Sequence, residues 1–113
     1  MTTLYGISNC DTIKKARNWL ESNKVDYTFH DYKKTGIDAA TLQVWCNEFG
    51  HEALLNRRGT TWRKLDESVK NNINESKAIG IMQDNNSIIK RPVLISGKIK
   101  ILGFNEAEYK SLL

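Results

Sequence analysis

Leu4-Tyr5-Gly6-Ile7-Ser8-Asn9-Cys10-Asp11-Thr12-Ile13-Lys14-Lys15-Ala16 is the stretch on which the fold turns. Residues 2–7 form a short apolar run that reads as a strand. From Asp11 to about Ser22 the pattern is helical, with Ile13, Ala16 and Leu20 on one side and Lys14, Lys15 and Arg17 largely on the other. Cys10 falls at the junction. The unpaired N–H groups and macrodipole at a helix N-terminus favour an anion. A thiol placed there can titrate at about 3.5–7.5 instead of about 8.5. Position alone fits a small buried residue in a turn equally well.

Working outward, Asn23-Lys24 is a turn. Val25, Tyr27 and Phe29 alternate with polar residues, which makes residues 25–30 a second strand. The resulting β-α-β unit calls for parallel pairing and a right-handed crossover. Lys34-Thr35-Gly36 reads as a loop. Asp38 to Phe49 is helical, with Leu42, Trp45, Cys46 and Phe49 on one face and Gly50 as the stop. His51 to Leu55 continues as a short helical piece and residues 56–59 form a loop. Thr60 or Thr61 caps a short helix through Leu65. Residues 68–83 carry weaker helical segments interrupted near Asn74, and Asp84-Asn85-Asn86 is a turn. Val93-Leu94-Ile95 and the alternating Ile99 and Ile101 form an antiparallel hairpin joined at Ser96-Gly97. A closing helix runs from Asn105, its cap, to Leu113. This order predicts an α/β, thioredoxin-like fold: a four-stranded mixed sheet (β-α-β then β-β-α) in a single domain, with a helical block inserted at about 38–84.

The chain has 113 residues, 17 Lys and Arg against 13 Asp and Glu, and two cysteines. That length suits one domain. No apolar run is long enough to span a membrane. The start has neither a basic n-region nor an apolar h-region, so no signal peptide is expected. Two cysteines make no disulfide framework and have no metal-ligand spacing, which points to a reducing, cytoplasmic setting. The net charge of +4 is concentrated in Arg57, Arg58, Arg63 and Lys64, then Lys90 and Arg91, then Lys98 and Lys100. Short clusters of this kind suit small anions; there is no nucleic-acid motif.

Five stretches, in this order and spacing, carry a resemblance: residues 3–16 around Cys10, Phe29-His30-Asp31-Tyr32, residues 54–65 with Asn56-Arg57-Arg58-Gly59, Ile89-Lys90-Arg91-Pro92, and Leu102-Gly103-Phe104. Together they resemble the arsenate reductase (ArsC)/Spx family over essentially the whole chain, nearest to its YffB-type branch. The resemblance implies a thioredoxin-like domain with one nucleophilic cysteine on the first βα loop, matched here by Cys10. In the family's arsenate reductases that cysteine attacks an oxyanion held by arginines, and glutathione and glutaredoxin complete the reduction. Arg91 matches the arginine before the late proline. The middle arginine matches Arg57 or Arg58, and spacing does not choose between them. Two positions depart from the resistance enzymes. Leu102-Gly103-Phe104 stands where a third oxyanion-binding arginine is expected, and Gly6 replaces a histidine. The expected function is therefore a glutathione-dependent thiol or oxyanion reductase, with arsenate a doubtful substrate. The alternative is an Spx-like, redox-responsive regulator that binds RNA polymerase.

Individual residues sharpen these expectations. Cys10 is followed by Asp11-Thr12-Ile13, so no C-x-x-C pair exists and the thiol needs an external partner. Glutathione is the expected co-substrate, with glutaredoxin as a second candidate partner. No bound cofactor, metal, membrane or nucleic-acid partner is expected, and the chain is expected to be a monomer. Arginines fork onto carboxylates and oxyanions, which suits Arg57, Arg58 and Arg91 to hold the anionic part. Thioredoxin-like folds place a cis proline opposite the nucleophile, so Pro92, the only proline, is expected to be cis. Its neighbour's backbone would then pair with an extended peptide such as glutathione. Cys46 reads as a small buried hydrophobe, His30 as a polar residue at a strand edge, His51 as a helix-start surface residue, and Trp62 as packing under the arginine loop. Asp11 is expected to cap the first helix, where its charge opposes thiolate formation.

Overall fold

The computed structural model describes all of residues 1–113 and divides into two compact units. The first is Met1–Thr35 with Arg91–Leu113, and the second is Gly36–Lys90. No helix is long and apolar enough to cross a membrane.

The first unit is built on a four-stranded sheet of order β2-β1-β3-β4. β1 (Thr2–Gly6) leads into α1 (Asp11–Ser22) and then β2 (Thr28–Asp31), which pairs parallel to β1 with Leu4 opposite Phe29 and Gly6 opposite Asp31. β3 (Val93–Ser96) lies antiparallel to β1, with Leu94 opposite Leu4, and β4 (Ile99–Leu102) lies antiparallel to β3. The two-residue connection between them starts at Gly97 with φ 60°, a conformation that costs a glycine nothing. Leu4, Leu94 and Ile101 form one core with Ala16 and Leu20 of α1 and with Tyr109 near the C-terminus. This is the mixed sheet and thioredoxin-like fold that the element order predicts.

Helix α1 ends three residues before the sequence pattern suggests a strand could start. Lys24 takes φ 57°, its N–H donates to Glu21 O at 3.1 Å, and Val25 N–H donates to Leu20 O at 2.9 Å. That pair of bonds is a Schellman closure with lysine in the left-handed position. Val25 therefore seals the helix, and β2 begins at Thr28, not at Val25. A second correction follows directly. Residues 34–36 are not all loop: α2 (Tyr32–Thr35) is a single helical turn, opened by Asp31 Oδ1 accepting from Lys33 N–H at 2.9 Å. The closing helix is also shorter than expected. α-Helix covers only Glu106–Tyr109 and a 3₁₀ turn covers Lys110–Leu112, with Asn105 as the cap accepting from Glu108 N–H.

The second unit is helical. α3 (Ala39–Phe49) starts at Asp38, whose Oδ1 accepts from Thr41 N–H at 2.7 Å, and stops at Gly50 with φ 85°. α4 (His51–Leu54), α5 (Thr60–Arg63) and α6 (Glu67–Lys70) are one turn each. α7 (Glu75–Asp84) is capped by Asn74, the expected interruption, and a 3₁₀ turn covers Asn86–Ile88. Gly59, not Thr60 or Thr61, is the N-cap of α5; the Thr61 hydroxyl instead hydrogen-bonds the Ser87 hydroxyl at 2.8 Å.

Candidate active site

Cys10 is the N-cap residue of α1, with extended φ −151° and ψ 129°. Asp11 is therefore the first helical residue and not the cap. The Cys10 carbonyl accepts the first helical bond, from Lys14 N–H at 3.0 Å. Its half-buried Sγ accepts from Arg91 Nε at 3.4 Å. Arg91 sits directly before Pro92, and the Arg91–Pro92 peptide is cis, as expected for this fold. The Pro92 carbonyl is already used by Gly103 N–H at 2.8 Å, which ties the start of β3 to the end of β4.

Several opposing influences set the thiol. Partial burial pushes its pKa up. The N–H of Ile13, the hydrogen bond from Arg91, the N–H of Thr12 and the Arg91 charge all push it down, and they win: Cys10 titrates below an ordinary cysteine. Thr12 and Ile13 are the second and third residues of the helix, whose amides a capping side chain normally satisfies. Sulfur does not close a strict capping bond here, so these amides act on the thiolate as aligned dipoles. Asp11 is exposed, and its carboxylate does not prevent the lowering.

Cys46 is the contrasting case. It is buried in α3 with only 4% of its surface exposed, and burial followed by the Glu75 charge pushes its pKa up. The small-hydrophobe reading of Cys46 agrees with both facts.

Tyr32, which sequence reasoning treated only as part of a motif, is the residue it undervalued. It is almost wholly buried as the first residue of α2, directly after β2. Burial, and then the neighbouring Tyr5, hold its hydroxyl far above the usual range, while Arg91 acts the other way. Arg91 thus lies within the electrostatic reach of Tyr32 as well as of Cys10. His30 is on the edge strand as expected, but it is packed: its ring lies 4.9 Å from Tyr5 and 5.9 Å from Tyr32, centroid to centroid. The available signal was the run Phe29-His30-Asp31-Tyr32 with Tyr5; the β1–β2 register sets Tyr5 opposite His30, and the rings of Tyr5, His30 and Tyr32 meet there.

The structure therefore brings Cys10, Arg91 and Pro92 into one place in the first unit. Arg57 and Arg58 belong to the second unit, both exposed on the loop before α5. The Arg57 guanidinium lies over the Trp62 ring at 5.3 Å, so Trp62 packs under the loop as expected. Asn56 Oδ1 accepts from Arg58 N–H at 3.2 Å and shapes the turn.

A β2-β1-β3-β4 sheet with a cysteine at its first strand-to-helix junction and a cis proline just before its third strand defines a thioredoxin-like protein with one cysteine at that junction. A family model described as the ArsC family matches residues 5–112, and the chain belongs to that family. Among curated relatives, an uncharacterised protein of Haemophilus influenzae is 42% identical over 111 residues, covering 98% of this chain and 97% of its own. The global transcriptional regulator Spx of Streptococcus pyogenes serotype M3 is 30% identical over 115 residues, covering 100% of this chain and 85% of its own. Among solved structures, a YffB protein is 51% identical, with a TM-score of 0.97 and coverage of 100% and 99%. An arsenate reductase (ArsC) related protein from Brucella melitensis is 50% identical, with a TM-score of 0.77 and coverage of 97% and 92%.

Proposed function

We propose that this protein is a glutathione-linked monothiol reductase. The observation that carries the reading is the 3.4 Å contact of Arg91 Nε with a Cys10 Sγ whose pKa is lowered at the start of α1. The lack of a second thiol among Asp11, Thr12 and Ile13 and the family's arsenate reductase-related members support it. In the first step the Cys10 thiolate attacks the glutathione sulfur of a mixed disulfide. The S–S bond breaks, a Cys10–glutathione disulfide forms, and the substrate leaves as a thiolate that takes a proton from water. A second glutathione thiolate, or the thiol of a glutaredoxin, then attacks that disulfide and releases Cys10 as thiolate. The balance is an exchange: the substrate sulfur leaves its disulfide as a thiol, and one incoming thiol takes its place on the glutathionyl sulfur, giving glutathione disulfide or a glutaredoxin–glutathione disulfide. Arg91 stabilises the thiolate in the resting state and grips a carboxylate of the incoming tripeptide. The anion-binding role that the family resemblance implies for Arg57 or Arg58 is part of this proposal. Single alanine variants at the two positions separate them: the one that matters slows turnover and the other does not.

Reduction of a glutathione mixed disulfide, followed by oxidation of the glutathione pool, tests the reading. Cys10→Ser is expected to abolish turnover and Cys46→Ser to retain it. Turnover surviving in Cys10→Ser would end the proposal. Arsenate is expected to be turned over weakly or not at all, because Leu102-Gly103-Phe104 offers no third guanidinium; robust arsenate turnover with glutathione and glutaredoxin would reverse that expectation.

A second reading, an Spx-like regulator that binds RNA polymerase, is supported by the 30% identity to Spx over the whole chain. Ile13 argues against it: it is fully buried where the resemblance places the second cysteine of the Spx redox pair. Capture of the RNA polymerase alpha subunit by the purified protein would favour this reading; absence of capture would favour the reductase.

A further inference from the structure

One face of α1 continues from Cys10 in a way the reductase chemistry does not use. Lys14, Arg17, Asn18 and Glu21 recur at helical spacing and, with Ser8 of the loop before Cys10, line an open groove. Lys14 is exposed and makes no ion pair. It stands one turn beyond Cys10, about 6 Å along the axis, and helix side chains lean toward the N-terminus, here toward the thiol. Arg17 is fixed in place: its Nε donates to Tyr27 Oη at 2.9 Å, and its guanidinium lies over the Phe29 ring at 4.5 Å. Tyr27 in turn donates to Glu21 Oε2 at 2.7 Å. The Glu21 carboxylate is thereby engaged, and Lys14 and Arg17 lie on the Cys10 side of it along α1.

We propose that the Ser8–Lys14–Arg17 end of this groove is a carboxylate subsite for the disulfide that Cys10 attacks, with Lys14 taking the charge and Arg17 the immobile cation behind it. The inference rests on the reductase reading and adds to Arg91 a second point of anion recognition. The chemistry fits a tripeptide whose sulfur is on its central residue. In glutathione the C-terminal carboxylate reaches about 7 Å from the sulfur when extended, which matches the step from Cys10 to Lys14. A guanidinium already held by a hydroxyl and a ring loses little freedom when an anion arrives. The groups that lower the Cys10 pKa are the Ile13 and Thr12 amides and Arg91, so the alkylation midpoint, measured beside the rates, separates an effect of Lys14 on binding from one on thiolate formation.

The test compares two disulfides on the intact protein: glutathione disulfide, which carries carboxylates, and bis(2-hydroxyethyl) disulfide, which carries none. Second-order rate constants for Cys10 are measured in the wild type, Lys14→Gln, Lys14→Glu, Arg17→Met and Lys15→Gln. Lys15 is the control because it lines a different groove, with Trp19 and Phe104. We expect the glutathione disulfide rate to fall about threefold in Lys14→Gln and about tenfold in Lys14→Glu. Arg17→Met, which keeps the apolar stem on Phe29, is expected to lose about threefold. The neutral disulfide rate and the pH midpoint of alkylation should stay unchanged, and Lys15→Gln should match the wild type. An unchanged ratio of the two rates in the Lys14 variants, or an equal loss in Lys15→Gln, would overturn the subsite. A wild-type Cys10 inert to both disulfides would instead end the reductase reading, and the subsite with it.

Discussion

Arg91→Ala is expected to move the alkylation midpoint of Cys10 to higher pH and to slow its reaction with glutathione disulfide more than tenfold. Two effects act. The substitution removes both the hydrogen bond and the charge that hold Sγ as thiolate. The thiolate fraction follows pH upward through the folded pKa, so a raised pKa leaves less thiolate at any pH below the midpoint. A one-unit rise would cost tenfold in thiolate there, but a more basic thiolate is a better nucleophile and regains about threefold at a Brønsted coefficient of about 0.4–0.5. The thiolate effect alone is therefore modest. The larger share comes from the lost grip on a carboxylate, since a hydrogen bond to a charged group contributes about 1.5–3 kcal/mol, or more than tenfold. Arg63→Ala, exposed at the end of α5, is the control and should leave both measurements unchanged. If Arg91→Ala leaves both unchanged as well, Arg91 is not part of the site.

Gly6→Ala is expected to destabilise the chain by about 1–3 kcal/mol. A Cβ on Gly6 would overlap Ile13 Cδ1 and come to 3.0 Å from Ile13 Cγ1, with Arg91 Cβ 3.8 Å away. Ile13 is fully buried, so it has no open space to move into. Each kcal/mol lowers Tm by roughly 4–8 °C in a domain near this size. The double variant Gly6→Ala/Ile13→Val should recover part of the loss, because the two residues are in contact and their effects do not add. A Gly6→Ala protein with wild-type Tm would show that α1 does not press on β1 at this point. The same contact leaves no room for a larger side chain at position 6, because Ile13 of α1 fills that space.

Much of this was legible in the sequence because local and long-range signals agreed. The apolar face of α1, its start beside Cys10, and the hairpin around Gly97 each follow from periodicity and turn chemistry, and the cis Arg91–Pro92 bond follows from the fold they define. Where reading failed, a backbone device had overridden side-chain alternation. Val25 has the pattern of a strand residue, but Lys24 in the left-handed region makes it the last closure of α1. Asp31 looks like the end of a strand, yet its carboxylate starts a helical turn at Tyr32. Asp11 has the chemistry of a cap, but the chain turns one residue earlier and gives that position to Cys10. The Tyr5–His30–Tyr32 cluster required the β1–β2 register, which alternation alone does not fix. In the sequence Arg17 is simply one of the basic residues opposite the apolar side of α1; the structure shows Tyr27 and Phe29 holding it.

The most direct measurement of the central claim is intact and peptide-level mass spectrometry after incubating the folded protein with glutathione disulfide near neutral pH. The account predicts one added glutathione, located on Cys10, with Cys46 unmodified until the protein is unfolded. Modification of Cys46 first, or a folded protein that takes up no glutathione at all, would contradict it.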